Sequence, residues 1–231
     1  MKEKNELNVR SEEAYRSLRT NIQFASVDKE IKSILVTSSI PGEGKSTVAS
    51  NLAISLSYTG KKVILVDCDL RKPTIHRKLE LSNQDGVTDA LVKGYQLKRV
   101  LKKKSDTLHL VTAGTLPPNP AEIVGSEAMV KFIESLKNDY DYIIIDSPPL
   151  LSVTDPQLLA VQADATLLVV RENKAKLRLV TRAYETLKHV NANVIGTVLN
   201  DCKESFGGYS YYYEYGEKKV SENKFMFWKK N

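Results

Sequence analysis

The chain has 231 residues, a formal net charge of +6 and 42% hydrophobic residues, so it is long enough for one α/β domain with a short appendage at each end. Its two cysteines, Cys68 and Cys202, lie far apart without a CxxC or histidine pairing, which argues against a disulfide framework or a zinc site and fits a reducing cytosol. No apolar run approaches the length of about 18 residues that spans a bilayer, so any membrane association is expected to be peripheral or to come from a partner.

The first predicted element is an amphipathic helix over residues 11–24. Ala14, Leu18 and Ile22 recur at helical spacing beside Arg16 and Arg19. The apolar stripe is expected to pack on the domain or on a neighbouring molecule, and the pattern leaves both open.

Six short apolar runs follow and alternate with helical stretches. Runs that are apolar on both faces are typical of a parallel sheet covered by helices on both sides, which predicts a mostly parallel α/β fold. The runs are Ile34 to Thr37, Val63 to Val66, Leu108 to Val111, Tyr142 to Ile145, Ala165 to Val170 and Val194 to Leu199.

A basic cluster lies between the second and third runs. Its members are Lys98, Arg99, Lys102, Lys103 and Lys104. A run of charges is usually solvated, and this one is predicted to form the solvent face of a helix. The net charge would also suit nucleotide phosphates, anionic lipid or nucleic acid, without choosing among them.

The strongest motif lies between the first run and a helix predicted at 48–58. It places Gly44, Lys45 and Ser46 at a strand-to-helix turn, where backbone N–H groups face phosphates, the lysine reaches the β and γ oxygens and the serine binds magnesium. Ser39 occupies the position of the usual first glycine. The predicted nucleotide contacts are Pro41, Gly42, Glu43, Gly44, Lys45, Ser46 and Thr47.

Aspartates follow two other buried runs directly. Asp67 and Asp69 come after the second run and Asp146 after the fourth, at the carboxyl edge where open α/β sheets bind ligands. Aspartates at phosphate sites commonly hold Mg²⁺. Any one of them could instead cap the next loop or helix, but together they favour a magnesium and phosphate site.

After Asn200 the periodicity stops, and a polar tail at 202–231 is predicted. It contains the tyrosines Tyr209, Tyr211, Tyr212, Tyr213 and Tyr215. Such a cluster could pack on the domain or stack on nucleic acid, but three consecutive tyrosines have no strand-like alternation. The cluster is therefore interpreted as a set of phosphate acceptors.

These motifs together resemble the bacterial tyrosine kinases, the P-loop autokinases of capsule and exopolysaccharide synthesis. The resemblance covers nearly the whole chain, and its specific elements are the terminal tyrosines and an Asp-x-Asp-x-Arg motif at Asp67, Asp69 and Arg71. Asp146 before Ser-Pro-Pro looks like the family's Walker B aspartate. Glu13, Arg16 and Arg19 match its Glu-x-x-Arg-x-x-Arg segment, which implies self-association into a ring.

The resemblance implies a P-loop NTPase fold, ATP and Mg²⁺ as cofactors, and transfer of phosphate to the chain's own tail tyrosines in trans. It places Ser46, Asp67, Asp69 and Asp146 near magnesium and Lys45 on the phosphates, with Asp67 as the expected base. A carboxylate suits that role because a phenol of pKa about 10 must lose its proton during transfer.

Two residues keep two interpretations each. Arg71 could contact phosphate or form a structural ion pair. Asn200, at the end of the last run, could contact adenine as the family suggests, or simply begin a turn.

The resemblance also implies partners. They are a transmembrane adaptor of the polysaccharide co-polymerase type, further copies of the chain, a protein tyrosine phosphatase and other protein substrates, with no nucleic acid. The chain would then work in the cytoplasm at the inner face of the membrane. The implied organisation is an oligomerisation segment at 1–28, a kinase domain at 29–201 and the tyrosine-rich tail at 202–231.

Two other functions compete. One is a nucleotide-switched ATPase of the chromosome-partitioning or division-site type, whose family carries a lysine near the start of the phosphate loop where this chain has Ile40. The other is an export adaptor that keeps the fold for binding alone, which the intact Lys45, Asp67 and Asp146 argue against. Fold likeness by itself does not decide among them.

Overall fold

The computed structural model describes residues 2–26 and 30–202, and a seven-stranded sheet forms its centre. The strands are β1 Ser33–Ser38, β2 Val63–Asp67, β3 Leu101–Lys103, β4 Leu108–Val111, β5 Tyr142–Asp146, β6 Ala165–Arg171 and β7 Val194–Asn200. Their order is β3-β4-β2-β5-β1-β6-β7, and all neighbours are parallel except β3 and β4. Each of the six predicted runs is a strand, which confirms the mostly parallel α/β fold.

Helices cover both faces of this sheet. Within the described residues they are α1 Lys2–Ala25, α2 Lys45–Ser57, α3 Ile75–Lys78, α4 Val87–Lys93, α5 Leu97–Val100, α6 Pro120–Val124, α7 Glu127–Leu136, α8 Asp155–Gln162 and α9 Leu177–His189. The helix predicted at 48–58 is α2, which begins three residues earlier, directly after the left-handed Gly44.

Alternate residues along each strand pack into two separate hydrophobic cores, one on each face of the sheet. In β5, Ile143 and Ile145 point to the face covered by α4 and by α6 to α9, whereas Ile144 points to the face covered by α1 to α3. The side chains of the five inner strands are largely buried on both faces because helices lie on each side. That explains why these strands read as continuous apolar runs.

Helix α1 packs on the domain through one end of its apolar stripe. Ile22 is buried, and Tyr15 and Leu18 pack against the core under α2. Arg19 donates a hydrogen bond of 2.8 Å to the carbonyl oxygen of Ser55 at the end of α2. The domain, rather than a neighbouring molecule, therefore covers this part of the predicted stripe.

The prediction of one helix face for the basic cluster is wrong. Lys98 and Arg99 lie in the four-residue helix α5, but Lys102 and Lys103 lie in β3, an antiparallel strand at the edge of the sheet. A short edge strand needs no apolar run, because one side of it faces solvent. The pattern of charges alone could not distinguish these two structures.

The sheet order brings three strand ends together. Strand β5 lies between β2 and β1, and the register pairs the Cα atoms of Asp67 and Asp146 across β2 and β5. The turn after β1 leads into α2 at the same edge. In the part of the chain described here, no helix combines the length and the apolar character needed to cross a bilayer.

Candidate active site

The phosphate loop after β1 depends on two glycines in left-handed conformations. Gly42 has φ 78° and Gly44 has φ 92°, values that side-chain-bearing residues rarely adopt. A Cβ atom on Gly44 would lie 2.0 Å from the side-chain nitrogen of Asn200. The backbone angle therefore requires glycine at position 44, and a side chain there would also displace Asn200 from the loop.

Glu43 is a structural support inside the loop. Its side chain is fully buried and accepts hydrogen bonds from the hydroxyl of Ser39 at 2.7 Å, the N–H of Ile40 at 2.8 Å and the N–H of Arg171 at 3.3 Å. The predicted nucleotide contact at Glu43 can thus come only from its backbone, because its carboxylate is engaged within the loop. Ser39, which replaces the usual first glycine, supplies one of these three bonds.

Asn200, the last residue of β7, is hydrogen-bonded to the phosphate loop. Its side-chain nitrogen donates a hydrogen bond of 2.9 Å to the carbonyl oxygen of Glu43. The end of β6 and the loop after it add two cations. Arg171, the last residue of β6, donates to the carbonyl oxygen of Gly42 at 3.5 Å, and Lys174 donates to the same oxygen at 3.1 Å. Neither cation was predicted from the sequence, since both lie far from any motif.

Three carboxylates surround the ammonium of Lys45. Its Nζ atom lies 2.8 Å from Asp69 Oδ2 and 3.7 Å from Asp146 Oδ1, and it donates to Ser46 Oγ at 3.3 Å. Asp67 lies beside them and accepts the N–H groups of Asp69 and of Ile75, each at 3.2 Å. The structure therefore brings all five predicted residues of the phosphate and magnesium site together.

Burial and mutual repulsion shift the ionisation of this cluster. Burial is the largest cause that raises the pKa of Asp67, and the negative charge of Asp146 raises it further. Burial also raises the pKa of Asp146, against the lowering effect of Lys45. For Lys45, burial alone would lower the pKa, but the charges of Asp146, Asp69 and Asp67 outweigh it, and the pKa is raised.

The arrangement fits a magnesium ion at Asp146 and Ser46. Asp146 is fully buried, and its carboxylate oxygens have the Lys45 ammonium at 3.7 Å and the Ser46 hydroxyl nearby but no hydrogen bond of normal length, an arrangement that a bound cation would stabilise. A carboxylate and a hydroxyl are hard oxygen ligands of the kind that Mg²⁺ takes alongside phosphate and water. Asp67 and Asp69 are less available as metal ligands, because backbone N–H groups and Lys45 already form hydrogen bonds to their oxygens.

Arg71 forms an ion pair with a carboxylate outside the motifs. Its Nε and Nη2 atoms donate to the two oxygens of Asp155 at 2.9 Å each, in a bidentate pair. The Asp155 side chain is fully buried at the start of α8. Of the two interpretations of Arg71, the structure shows the ion pair, which joins the loop after β2 to α8.

The remaining predicted site residues lie elsewhere. Glu13 and Arg16 form an exposed pair of 3.3 Å on α1, and Arg19 contacts α2. The tyrosines at 209, 211, 212, 213 and 215 lie outside the described residues. The expected ring contacts of α1 and the expected acceptor tyrosines therefore remain predictions.

The raised carboxylate pKa values predict a pH-dependent stability for the nucleotide-free protein. Asp67 and Asp146 have pKa values above the ordinary 3.8 in the folded chain, so between 3.8 and the raised values the folded chain holds more protons than the unfolded chain. The free energy of unfolding should therefore fall as the pH rises through that window, by at most about 1.4 kcal/mol per pH unit for each group that is protonated in the folded chain and deprotonated in the unfolded chain.

Urea unfolding at several values between about pH 5 and about pH 8 measures this slope. Asp146→Asn should flatten it, because one titrating group is removed. Asp139→Asn changes an exposed carboxylate and serves as the matched control. A wild-type slope unaffected by Asp146→Asn would show that the cluster does not control this pH dependence.

Comparison with known proteins gives consistent similarities. A family model described as an AAA domain matches residues 31–199. The tyrosine-protein kinase YwqD of Bacillus subtilis strain 168 is 41% identical over 202 residues, which are 87% of this chain and 85% of that protein. The putative tyrosine-protein kinase CapB of Staphylococcus aureus is 35% identical over 206 residues, 89% of this chain and 90% of that protein.

Solved structures show the same likeness. The crystal structure of the chimerical protein CapA2B2 matches with a TM-score of 0.79 and 34% identity, over 82% of this chain and 84% of that one. The septum site-determining protein MinD of Pyrococcus horikoshii, complexed with Mg-ADP, matches with a TM-score of 0.64 at 23% identity over 76% and 72% of the two chains. At that identity the second match shows a shared fold and nothing about activity.

Proposed function

The chain belongs to the family of bacterial tyrosine kinases associated with capsule and exopolysaccharide systems, and on that premise we propose that it is an ATP-dependent protein-tyrosine autokinase. The observation that carries the proposal is the convergence of Lys45 with Asp67, Asp69 and Asp146 at the carboxyl edge of the sheet. The substrate is proposed to be the tyrosine cluster of the chain's own tail, presented by a second copy.

Bound ATP would supply the phosphoryl group, and bound Mg²⁺ would neutralise charge on its phosphates. The chain's own residues would bind the nucleotide and orient its phosphates. Lys45, now engaged by Asp69 at 2.8 Å, is placed to bind the β and γ oxygens, and the N–H groups at the start of α2 face the same anions. Asp146 and Ser46 would hold the magnesium.

Asp67 is proposed as the base that accepts the tyrosine proton. The raised pKa of Asp67 lies closer to the pKa of a phenol than the pKa of an ordinary carboxylate does, and this match favours proton transfer. Hydrogen bonds from the N–H groups of Asp69 and Ile75 fix its orientation. A bound acceptor tyrosine would have to reach this buried carboxylate, so its binding is expected to exclude water from the site.

The wider biological setting is proposed from the family alone. A transmembrane adaptor of the polysaccharide co-polymerase type would dock on the chain, hold it at the inner face of the membrane and raise its activity. Copies of the chain would form a ring through Glu13, Arg16 and Arg19, and phosphorylation would loosen that ring, because each phosphate adds about −1.5 to −2 charges. A tyrosine phosphatase would reverse the reaction, and other protein substrates would share it.

The decisive experiment incubates purified protein with magnesium and ATP, with and without a candidate adaptor tail, and maps phosphate by mass spectrometry. Phosphate is expected on tyrosines of the 209–215 cluster and should be lost when all five are changed to phenylalanine. Mixing that variant with a Lys45→Met chain tests transfer in trans, since only the second chain then offers acceptors and only the first retains the site.

The nucleotide-switched ATPase predicts a different outcome. If ATP is hydrolysed while the tyrosines stay unmodified even with the adaptor, the autokinase proposal is wrong and the switch becomes the leading account. Phosphate on the Lys45→Met chain in the mixture would support transfer between copies. Its absence, with phosphate still formed by wild-type protein alone, would indicate transfer within one chain.

A further inference from the structure

A lysine outside every predicted motif contacts the phosphate loop. Lys78 is the last residue of α3, and its Nζ atom donates a hydrogen bond of 2.8 Å to the hydroxyl of Thr47 in the first turn of α2. Its side chain is exposed, so it crosses to the loop from the surface. The two residues are 31 positions apart, and no local sequence pattern connects them.

Helix α3 is anchored to the site itself. Ile75, its first residue, is fully buried, and its N–H donates to Asp67 Oδ2 at 3.2 Å. The N–H of Lys78 donates to the carbonyl oxygen of Thr74 at 3.1 Å, which closes the helical turn. The base of the Lys78 side chain is therefore held in a fixed position beside the phosphate loop.

Once a nucleotide is bound, the negative charge of the site would exceed what Lys45 and one magnesium ion neutralise. Asp67, Asp69 and Asp146 carry up to three negative charges around the ammonium of Lys45. Arg71 is occupied by Asp155, and Lys174 and Arg171 contact the carbonyl oxygen of Gly42 rather than these carboxylates. A nucleotide would bring several more negative charges. The ammonium of Lys78 is bonded to the residue that follows Ser46, so it lies beside this cluster.

We propose that Lys78 is a phosphate-binding residue for the nucleotide, in contact with the phosphate nearest the nucleoside. Lys45 and Ser46 serve the outer phosphates and magnesium, and Thr47 is the next hydroxyl along the same helix start. A lysine bonded to this neutral hydroxyl gains a stronger, charge-assisted bond when a phosphate oxygen becomes available. The inference rests on the nucleotide use proposed above.

Calorimetric titration with ADP and with ATP tests it, in magnesium and again in chelator, so that no phosphoryl transfer is needed for the readout. Lys78→Met should weaken both nucleotides by the same factor, about 5- to 20-fold. Lys78→Arg should restore most of the affinity, because it keeps the charge. Lys72→Met removes another exposed lysine of the preceding loop and should change affinity by less than about twofold.

Urea unfolding of the nucleotide-free variants separates binding from folding. Lys78→Met is expected to unfold at the wild-type urea concentration, because an exposed lysine adds little stability. Unchanged ADP affinity in Lys78→Met would overturn the proposal, as would weakened ATP binding with unchanged ADP binding, which would place Lys78 at the outer phosphate. If the wild-type protein does not phosphorylate tyrosine but Lys78→Met shows the expected loss of ADP affinity, only the proposed kinase function is refuted.

Discussion

Replacing Lys45 by methionine is expected to reduce the rate of tyrosine phosphorylation by at least about 10³-fold. Phosphoryl transfer depends mainly on positioning and on neutralisation of charge, and Lys45 is the ammonium that lies among the three carboxylates. Initial rates of phosphotyrosine formation at saturating Mg-ATP measure the effect. A variant that retained more than about a tenth of the rate would show that another group neutralises the phosphates.

The same substitution should also destabilise the nucleotide-free protein. Lys45 is almost fully buried, and without it Asp69 loses its partner at 2.8 Å. Breaking a buried pair by removal of one member typically costs about 3 kcal/mol or more, and protonation of the cluster would recover part of this. Lys45→Arg is the matched variant, because it keeps the positive charge. We expect it to retain more stability than Lys45→Met while still losing transfer, since the guanidinium differs in shape.

The second large effect is expected from Glu43→Ala. The substitution leaves the buried hydroxyl of Ser39 and the N–H groups of Ile40 and Arg171 without their acceptor. Loss of hydrogen bonds to a buried charged group, with the donors left unsatisfied, should lower the free energy of unfolding by about 3 kcal/mol. The loosened loop should bind ADP at least about tenfold more weakly, because its N–H groups are no longer held in place.

Urea unfolding and ADP titration measure both consequences on one preparation. Glu43→Gln keeps the shape and one acceptor oxygen, so it should fall between wild type and Glu43→Ala. Glu185→Ala, on the exposed face of α9, controls for the loss of a surface carboxylate and should be nearly neutral. Wild-type affinity and stability in Glu43→Ala would mean that the loop does not depend on this support.

The sequence was a good guide wherever structure follows from local pattern. Five of the six parallel strands were predictable because helices bury both of their faces, which produces apolar runs such as Val63 to Val66. The edge strand β7 also has an apolar run, although Leu199 in it is exposed. Strand β3 was missed because it is three residues long, lies at an edge and carries Lys102 and Lys103. The early start of α2 was missed because it depends on the backbone angle of Gly44.

The candidate site was also predictable only in part. The sequence predicted that Lys45, Asp67 and Asp146 would meet, because carboxyl ends of parallel strands share one edge. It could not predict the bond of Arg171 to Glu43, the pair of Arg71 with Asp155 or the contact of Lys78 with Thr47, since these join residues distant in the chain. Such contacts depend on the strand order, which no local pattern specifies.

Strand β3 has a consequence for how copies of the chain can associate. An unpaired strand edge can template strand addition from another chain, and nature often protects such edges with shortness and lysines. Here the edge is three residues long, and Lys102 and Lys103 lie on it. The shortness of this edge and the exposed Lys103 on it therefore disfavour strand addition, so copies of the chain are expected to associate there through helix or loop surfaces.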